Sequence, residues 1–234
     1  MRVMHQFISP PDPCPYLPDR ISQLEYLFVG ELSGAEYEEM MNCGCRKFGV
    51  AVFRPACNTC RECRPIRVDA GQFRPDRGQR RAWKRNRTLR VATGPPQADA
   101  ARLALYRRYH AAQTLRKGWP EQHGSEDDYS ATFVANPVPN AELSLWDGEQ
   151  LRAVVLVDIT PQALSAIYHY YEPDLARLGL GTAAILHTIE LARQSGKKWV
   201  YLGFYVAGSR GMEYKARFRP CEILDVKGGW RAQP

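Results

Sequence analysis

Residues 164–196 read LSAIYHYYEPDLARLGLGTAAILHTIELARQSG. The opening ten are rich in apolar and aromatic residues that favour a pleated strand, and Pro173 stops them. Arg177-Leu-Gly179-Leu-Gly181 then makes a corner, and Ile185, Ile189 and Ala192 recur at helical spacing until Gly196 closes the helix. Outward in both directions the pattern continues. AELSLW (141–146) and QLRAVVLVDI (150–159) flank Asp147-Gly148, a dipeptide suited to a tight hairpin, so two strands precede the quoted one. After it come KKWVYLGFYV (197–206) as a strand, EYKARF (213–218) as a short helix and CEILDVKGGW (221–230) as a last strand.

Three strands, a helix, a strand, a helix and a strand are the element order of a GNAT-type acyltransferase core, so the expected class is α/β (α+β). In such folds the strand-to-helix corner, here Arg177, Gly179 and Gly181, lets outward-facing amides meet an anion such as a pyrophosphate. The bland alternative is a turn device. Upstream, ADAARLALYRRYHAAQTLRKG (98–118) carries Leu103, Tyr106 and Tyr109 three apart and ends at Gly118 and Pro120, which predicts another helix. A Pro/Gly break over 92–98, ATGPPQA, sets the expected domain boundary: 1–91, a cysteine-containing basic domain, and 92–234, the GNAT-like domain.

Within 1–91 two features carry chemistry. Cys57, Cys60 and Cys63 stand at two-residue gaps, and Cys14 in the Pro-bounded CPYLP is a fourth candidate; thiolates so spaced suit zinc or an iron–sulfur cluster, or are small buried residues with no metal. Cys43 and Cys45 flank Gly44 as further candidates, and Cys221 reads as packing. Seven cysteines, some clustered, in a chain whose start lacks an apolar signal run point to the reducing cytoplasm rather than to disulfides. No segment reaches the roughly 18 apolar residues of a membrane helix.

Residues 74–90, RPDRGQRRAWKRNRTLR, set Arg74, Arg77, Arg80, Arg81, Lys84, Arg85, Arg87 and Arg90 against Asp76 alone. Lys plus Arg exceed Asp plus Glu by 32 to 25 over the chain, so this run concentrates the whole net charge of +7. Phosphates are its natural complement, and Trp83 offers a face for an unpaired base. A solvated basic face is the alternative.

CPYLP, the Tyr37–Gly49 stretch with its GxRKxG spacing, FRPAC with CxxC and RPIRV, FRPDRGQRRAWKRN, YLGFYV and MEYKARFRP occur in this order. Together they resemble the arginyl/leucyl-tRNA–protein transferases, in the bacterial aspartate/glutamate leucyltransferase branch, over nearly the whole chain. The resemblance implies transfer of leucine, or arginine, from aminoacyl-tRNA to the N-terminal α-amine of proteins beginning with Asp or Glu, marking them for degradation through the N-degron pathway. It further implies a link between Cys14, Cys57, Cys60 and Cys63 and iron–sulfur binding, and contact of the YK segment, Tyr214 and Lys215, with the tRNA terminus or the acceptor carboxylate. Cys43, Cys45 and SQLEY (22–26) depart from the branch's pattern.

An aminoacyl ester is already activated, so the chemistry asks for positioning of a neutral amine and stabilisation of an oxyanion, with no cofactor. Backbone amides over Leu202–Tyr205 are the expected oxyanion donors, and Tyr170, Tyr171, Glu172 and Tyr205 the expected proton path or else core and surface groups. Arg54, Arg64, Arg67 and Arg77 are the expected pocket for an acidic first residue, while Arg80, Arg81, Trp83, Lys84 and Arg85 are expected to hold tRNA. Two rivals stand beside this reading: a coenzyme A-dependent N-acetyltransferase, from the element order, and a non-catalytic RNA-binding metal protein, from the cysteines and arginines.

Overall fold

The computed structural model describes residues 1–120 and 124–233. The chain begins with β1 (Arg2–Ile8), a short ribbon of β2 (Asp12–Pro13) and β3 (Ile21–Ser22), β4 (Leu24–Glu31), α1 (Gly34–Asn42), β5 (Arg46–Phe48) and β6 (Ala51–Pro55). β1, β4, β6 and β5 pair in that order into an antiparallel sheet. A capping box starts α1: the Ser33 hydroxyl accepts from the Glu36 amide at 3.2 Å and the Glu36 carboxylate accepts from the Ser33 amide at 2.8 Å. Val29 and Val52 of the sheet pack with Tyr37 and Met41 of α1. Because side chains alternate across a strand, Phe7, Tyr26, Phe53 and Phe48 collect elsewhere, in a row of rings 5.3 to 5.9 Å apart.

There follow β7 (Arg64–Asp69), α2 (Arg77–Arg85), β8 (Arg90–Gly94), α3 (Ala100–Lys117), α4 (Glu126–Tyr129), β9 (Asn140–Asp147), β10 (Gln150–Ile159), β11 (Ala163–Tyr171), α5 (Leu180–Gln194), β12 (Trp199–Tyr205), α6 (Arg210–Glu213), β13 (Cys221–Leu224) and β14 (Trp230–Gln233). Their strands form one eight-stranded mixed sheet in the order β14-β13-β7-β12-β11-β10-β9-β8. α5 packs Ile185 and Ile189 with Ile66, Val68, Leu164 and Val200 in one core; Leu105 and Tyr106 of α3 pack with Tyr129, Phe133 and Tyr170 in another.

Three sequence expectations change here. The Pro/Gly stretch begins inside β8, which pairs with β9 and forms an edge of the large sheet. β7, from the cysteine-containing part, runs between β12 and β13, so the sheet crosses residue 91. The expected single strand over 221–230 is a hairpin, because the Asp225 carboxylate accepts from the Lys227 and Gly229 amides, both at 2.8 Å, and folds the chain back into β14.

Candidate active site and basic face

β11 and β12 are the sheet's parallel pair, and their register covers only Ala163–Ser165 against Trp199–Tyr201. Beyond it they part. β12 shifts register against β7 between Tyr201 and Phe204, and Gly203 sits at φ +79°, a left-handed conformation that costs glycine least. The carbonyls freed at this opening are taken by two cations. Arg46 of β5 donates from Nη2 to Gly203 O at 3.1 Å, and Lys215 donates from Nζ to Phe204 O at 2.8 Å. Burial, with Arg46 close by, pushes the Lys215 ammonium down to about 7. His169 of β11 is held down to about 4 by burial and by Lys215 and Lys117.

Beside the opening lies a cavity of about 1000 Å³ whose walls include Phe48, Tyr106, His110, Phe133, Tyr168 and Met212. Met212 ties it to the opening, its sulfur 3.5 Å from Lys215 Nζ. His110 and Tyr168 share a 2.9 Å hydrogen bond, and burial lowers the His110 pKa. Asp128 is the carboxylate of the lining among the described residues; it is exposed, and Ser125 donates to it at 2.6 Å. The row of rings reaches this cavity through Phe48, whose centroid is 6.5 Å from that of Tyr168.

The residues expected on a proton path fall in different places. Tyr170 is fully buried with its hydroxyl 2.7 Å from that of Tyr129, and burial drives its pKa far up. Glu172 is buried and bound by Arg108 at 2.9 Å. Tyr171 and Tyr205 are half-buried; the Arg64 guanidinium lies 5.7 Å over the Tyr205 ring. Tyr214 is half-buried next to Lys215, its pKa raised to about 12 by burial.

The four arginines expected around an acidic first residue do not converge as one pocket. Arg54 pairs with Glu25 on the small sheet. Arg67 is clamped by Glu222 at 2.7 Å and sandwiched between the rings of Trp199 and Trp230, 3.9 and 4.0 Å from their centroids. Arg77 is exposed at the start of α2, and Arg64 stands at the end of β7 opposite Tyr205. Arg46, the cation that does reach the opening, lies in the RKxG stretch of the sequence. Its only signal there was membership of a motif.

α2 begins on Asp76, whose carboxylate accepts from the Gln79 amide at 2.8 Å, and it buries Gln79 and Ala82. Arg74, Arg77, Arg80, Arg81, Lys84, Arg85, Arg87 and Arg90 are all exposed, and among the described residues none forms an ion pair with a carboxylate. Trp83 is 40% exposed and lies 4.4 Å from His187, between centroids. This helix sits on the corner before α5. Arg85 donates to Arg177 O at 3.0 Å and Asn86 to Leu178 O at 2.9 Å. A Cβ at Gly179 would come 3.0 Å from the Ala82 Cβ, and one at Gly181 would come 2.9 Å from Tyr171 Cε1. The space these glycines leave is filled by the protein itself.

The Cys63 thiol is raised to about 12 by burial and then by Cys14, Cys57 and Cys60, so the four sulfurs lie within electrostatic reach of one another. Their donor chemistry suits a soft metal. Among the described residues no three His, Cys, Asp or Glu groups are placed, as they stand, to hold an ion. The loop is closed by Arg61, which donates to the carbonyls of Cys57 and Cys60.

A crystal structure of FemX shares this mixed α/β fold, with a TM-score of 0.53 and 7% identity over 94% of this chain and 85% of FemX. Residues 12–81 match the family model for the N terminus of arginine-tRNA-protein transferases, and residues 101–225 the model for their C terminus. The chain is 35% identical to the aspartate/glutamate leucyltransferase of Chromobacterium violaceum, over 99% of this chain and 95% of that one. It is 37% identical to that of Halorhodospira halophila, over 94% and 93%. The chain belongs to the arginine-tRNA-protein transferase family and is an aminoacyl-tRNA–protein transferase. Among the described residues no helix is long and apolar enough to cross a membrane.

Proposed function

We propose that the protein moves leucine from leucyl-tRNA to the α-amine of proteins that begin with Asp or Glu, in the cytoplasm, using a GNAT-like opening between β11 and β12. The observation that carries this reading is the aromatic cavity beside that opening. Among the described residues its walls suit a branched apolar side chain, whereas the guanidinium of an arginine would meet there one exposed carboxylate, Asp128, and the cation Lys117 at the rim. That favours leucine as donor.

In the reaction the neutral amine attacks the ester carbonyl, a C–N bond forms, the C–O bond to the ribose breaks, and one amine proton passes to the leaving ribose oxygen. An α-amine has a pKa of about 7.7 to 8, so a fraction is already neutral near pH 7 and water can carry the proton. Amides over Leu202–Tyr205 are suited to the oxyanion because the parting of the strands leaves that edge of β12 without a partner strand. Tyr171 and Tyr205, half-buried near the opening, stay as proton-path candidates; Tyr170 and Glu172 serve packing and an ion pair in this reading.

The part before residue 91 supplies the tRNA face through Arg77, Arg80, Arg81, Trp83, Lys84 and Arg85, and both parts contribute to the transfer site, Arg46 and Phe48 from the first and β11 and β12 from the second. Because α2 occupies the corner Arg177–Gly181, the coenzyme A reading loses the room a pyrophosphate needs. Zinc or an iron–sulfur cluster on Cys14, Cys57, Cys60 and Cys63 has support from their electrostatic proximity only, and metal analysis of the purified protein checks it. The deciding experiment offers leucyl-tRNA and arginyl-tRNA separately to peptides starting with Asp, Glu, Lys or Arg. Leucine on the Asp and Glu peptides is expected. Transfer only from acetyl-coenzyme A overturns the reading.

A further inference from the structure

A second cavity, of about 390 Å³, opens between α2, α5 and the turn after β7. Among the described residues it shares no wall with the aromatic cavity beside the transfer opening. Its size falls within the range of about 300–1,000 Å³ usual for small-molecule sites. The floor is the protein core itself: Leu186 and Ile189 of α5 line it and are only 5% and 3% exposed. Phe73 and Trp83 supply aromatic walls. Trp83 borders the cavity while its ring rests on His187, and it stays exposed although an apolar slot lies beside it. The rim is cationic. Arg74 donates to Phe73 O at 2.9 Å and Arg80 to Pro75 O at 2.5 Å, and since Phe73 and Pro75 line the cavity too, both guanidiniums are held at its mouth. Each carries five donors and spends one there, so others remain for an incoming acceptor. Glu190 is the carboxylate of the lining among the described residues, and it is cancelled by Arg193 at 2.8 Å.

A packing defect needs no cations at its mouth, and a solvated basic face needs no apolar slot. Together they fit a flat ring system joined to an anion, which is a nucleotide: the base lies against Trp83 and the phosphate accepts from Arg74 and Arg80. The slot is also continuous with the exposed run of α2, where Arg77, Arg81 and Lys84 follow one another at helical spacing, so the nucleotide that reaches it belongs to a longer polyanion. We propose that this slot takes one unstacked nucleotide of the tRNA, turned out of its strand. The proposal deepens the transferase reading above and rests on it. Charges on α2 hold any polyanion, whereas a slot for a splayed base selects folded RNA with unpaired nucleotides and fixes where it lies.

The test measures binding of deacylated tRNA and of a blunt RNA duplex to the full-length protein by fluorescence anisotropy, over a range of salt concentrations. Trp83→Ala should weaken tRNA binding about tenfold, the size of one lost base–aromatic stack. The salt dependence should not change, because no charge is removed, and duplex binding should not move. Trp83→Phe keeps a ring and should stay close to wild type. The proposal fails if Trp83→Ala leaves tRNA binding intact, or if it weakens tRNA and duplex alike. Should Trp83→Ala not fold, Arg74→Gln decides in the same way: loss of tRNA binding alone supports the slot, and equal losses overturn it. Tryptophan fluorescence quenched by AMP, CMP, GMP or UMP in wild type but not in Trp83→Phe, with tRNA binding indifferent to Trp83, overturns the tRNA assignment in favour of a free nucleotide. Trp83-dependent tRNA binding with no transfer from any aminoacyl-tRNA leaves this site standing and defeats the transferase reading instead.

Discussion

The molecule has two cationic regions that differ in kind. On α2 and its flanks eight cations stand in water, unpaired with carboxylates among the described residues, and each costs little because solvent and counterions screen it. At the opening between β11 and β12 stand Arg46 and Lys215, desolvated and, among the described residues, without an anion acting on them. The first arrangement suits a long polyanion held by many weak contacts that release counterions. The second sets two charges out of water at one place. A count of charges finds the first region and overlooks the second.

The sharpest contrast lies between neighbours in sequence. Lys47→Met removes the partner of the buried Asp158 and should destabilise the fold by about 3–5 kcal/mol, read as a fall in thermal midpoint. Arg46→Gln removes no partner of a carboxylate and should leave stability far less changed; equal losses would erase the distinction between paired and unpaired buried cations. On the exposed side, Arg80→Ala with Arg81→Ala should weaken tRNA binding roughly tenfold and make its dependence on the logarithm of salt concentration shallower by about 1 to 2. An unaltered slope would remove α2 from the tRNA face. Tyr170→Phe loses one buried hydroxyl pair, should cost about 1 kcal/mol, and should leave transfer intact. A collapse of transfer in a folded Tyr170→Phe protein would return that residue to the proton path.

The smallest expected effect is a pH dependence. Lys215 is faced by Arg46 from β5, Cys63 from the loop before β7 and His169 from β11, and burial holds its ammonium near 7, below the ordinary lysine range. Below that pH it is charged, and as pH rises through about 7 the charge declines. The sign for stability is opposite. The unfolded chain holds more protons than the native one between the two values, so this group's penalty is greatest below about 7 and is relieved as pH rises toward the ordinary lysine value. Lys215→Met should flatten the pH dependence of transfer near 7, and a profile that keeps its shape would assign the titration elsewhere.

Much of the rear half was legible because its signals are local. Asp147-Gly148 fixes the hairpin of β9 and β10, Pro173 stops the run of β11, and Ile185 with Ile189 marks the buried side of α5; each depends on neighbours within a few residues. β7 and β8 were missed as members of the large sheet. Their pairing with β12, β13 and β9 joins segments far apart in the chain, and short half-buried strands leave a weak alternation. The small sheet was hidden for the same reason.

Taken alone, the order of residues determined the family, the element order around residues 141–218 and the exposed basic helix, because motif succession, periodicity and charge density are properties of contiguous residues. Only the tertiary structure decided what each cation is for. Arg54 and Arg67 found carboxylates in Glu25 and Glu222, Lys47 found Asp158, and Arg46 and Lys215 found none. Whether a charge is cancelled or left waiting depends on which distant strand folds against it and whether water is excluded there, and neither is written in the residues beside it.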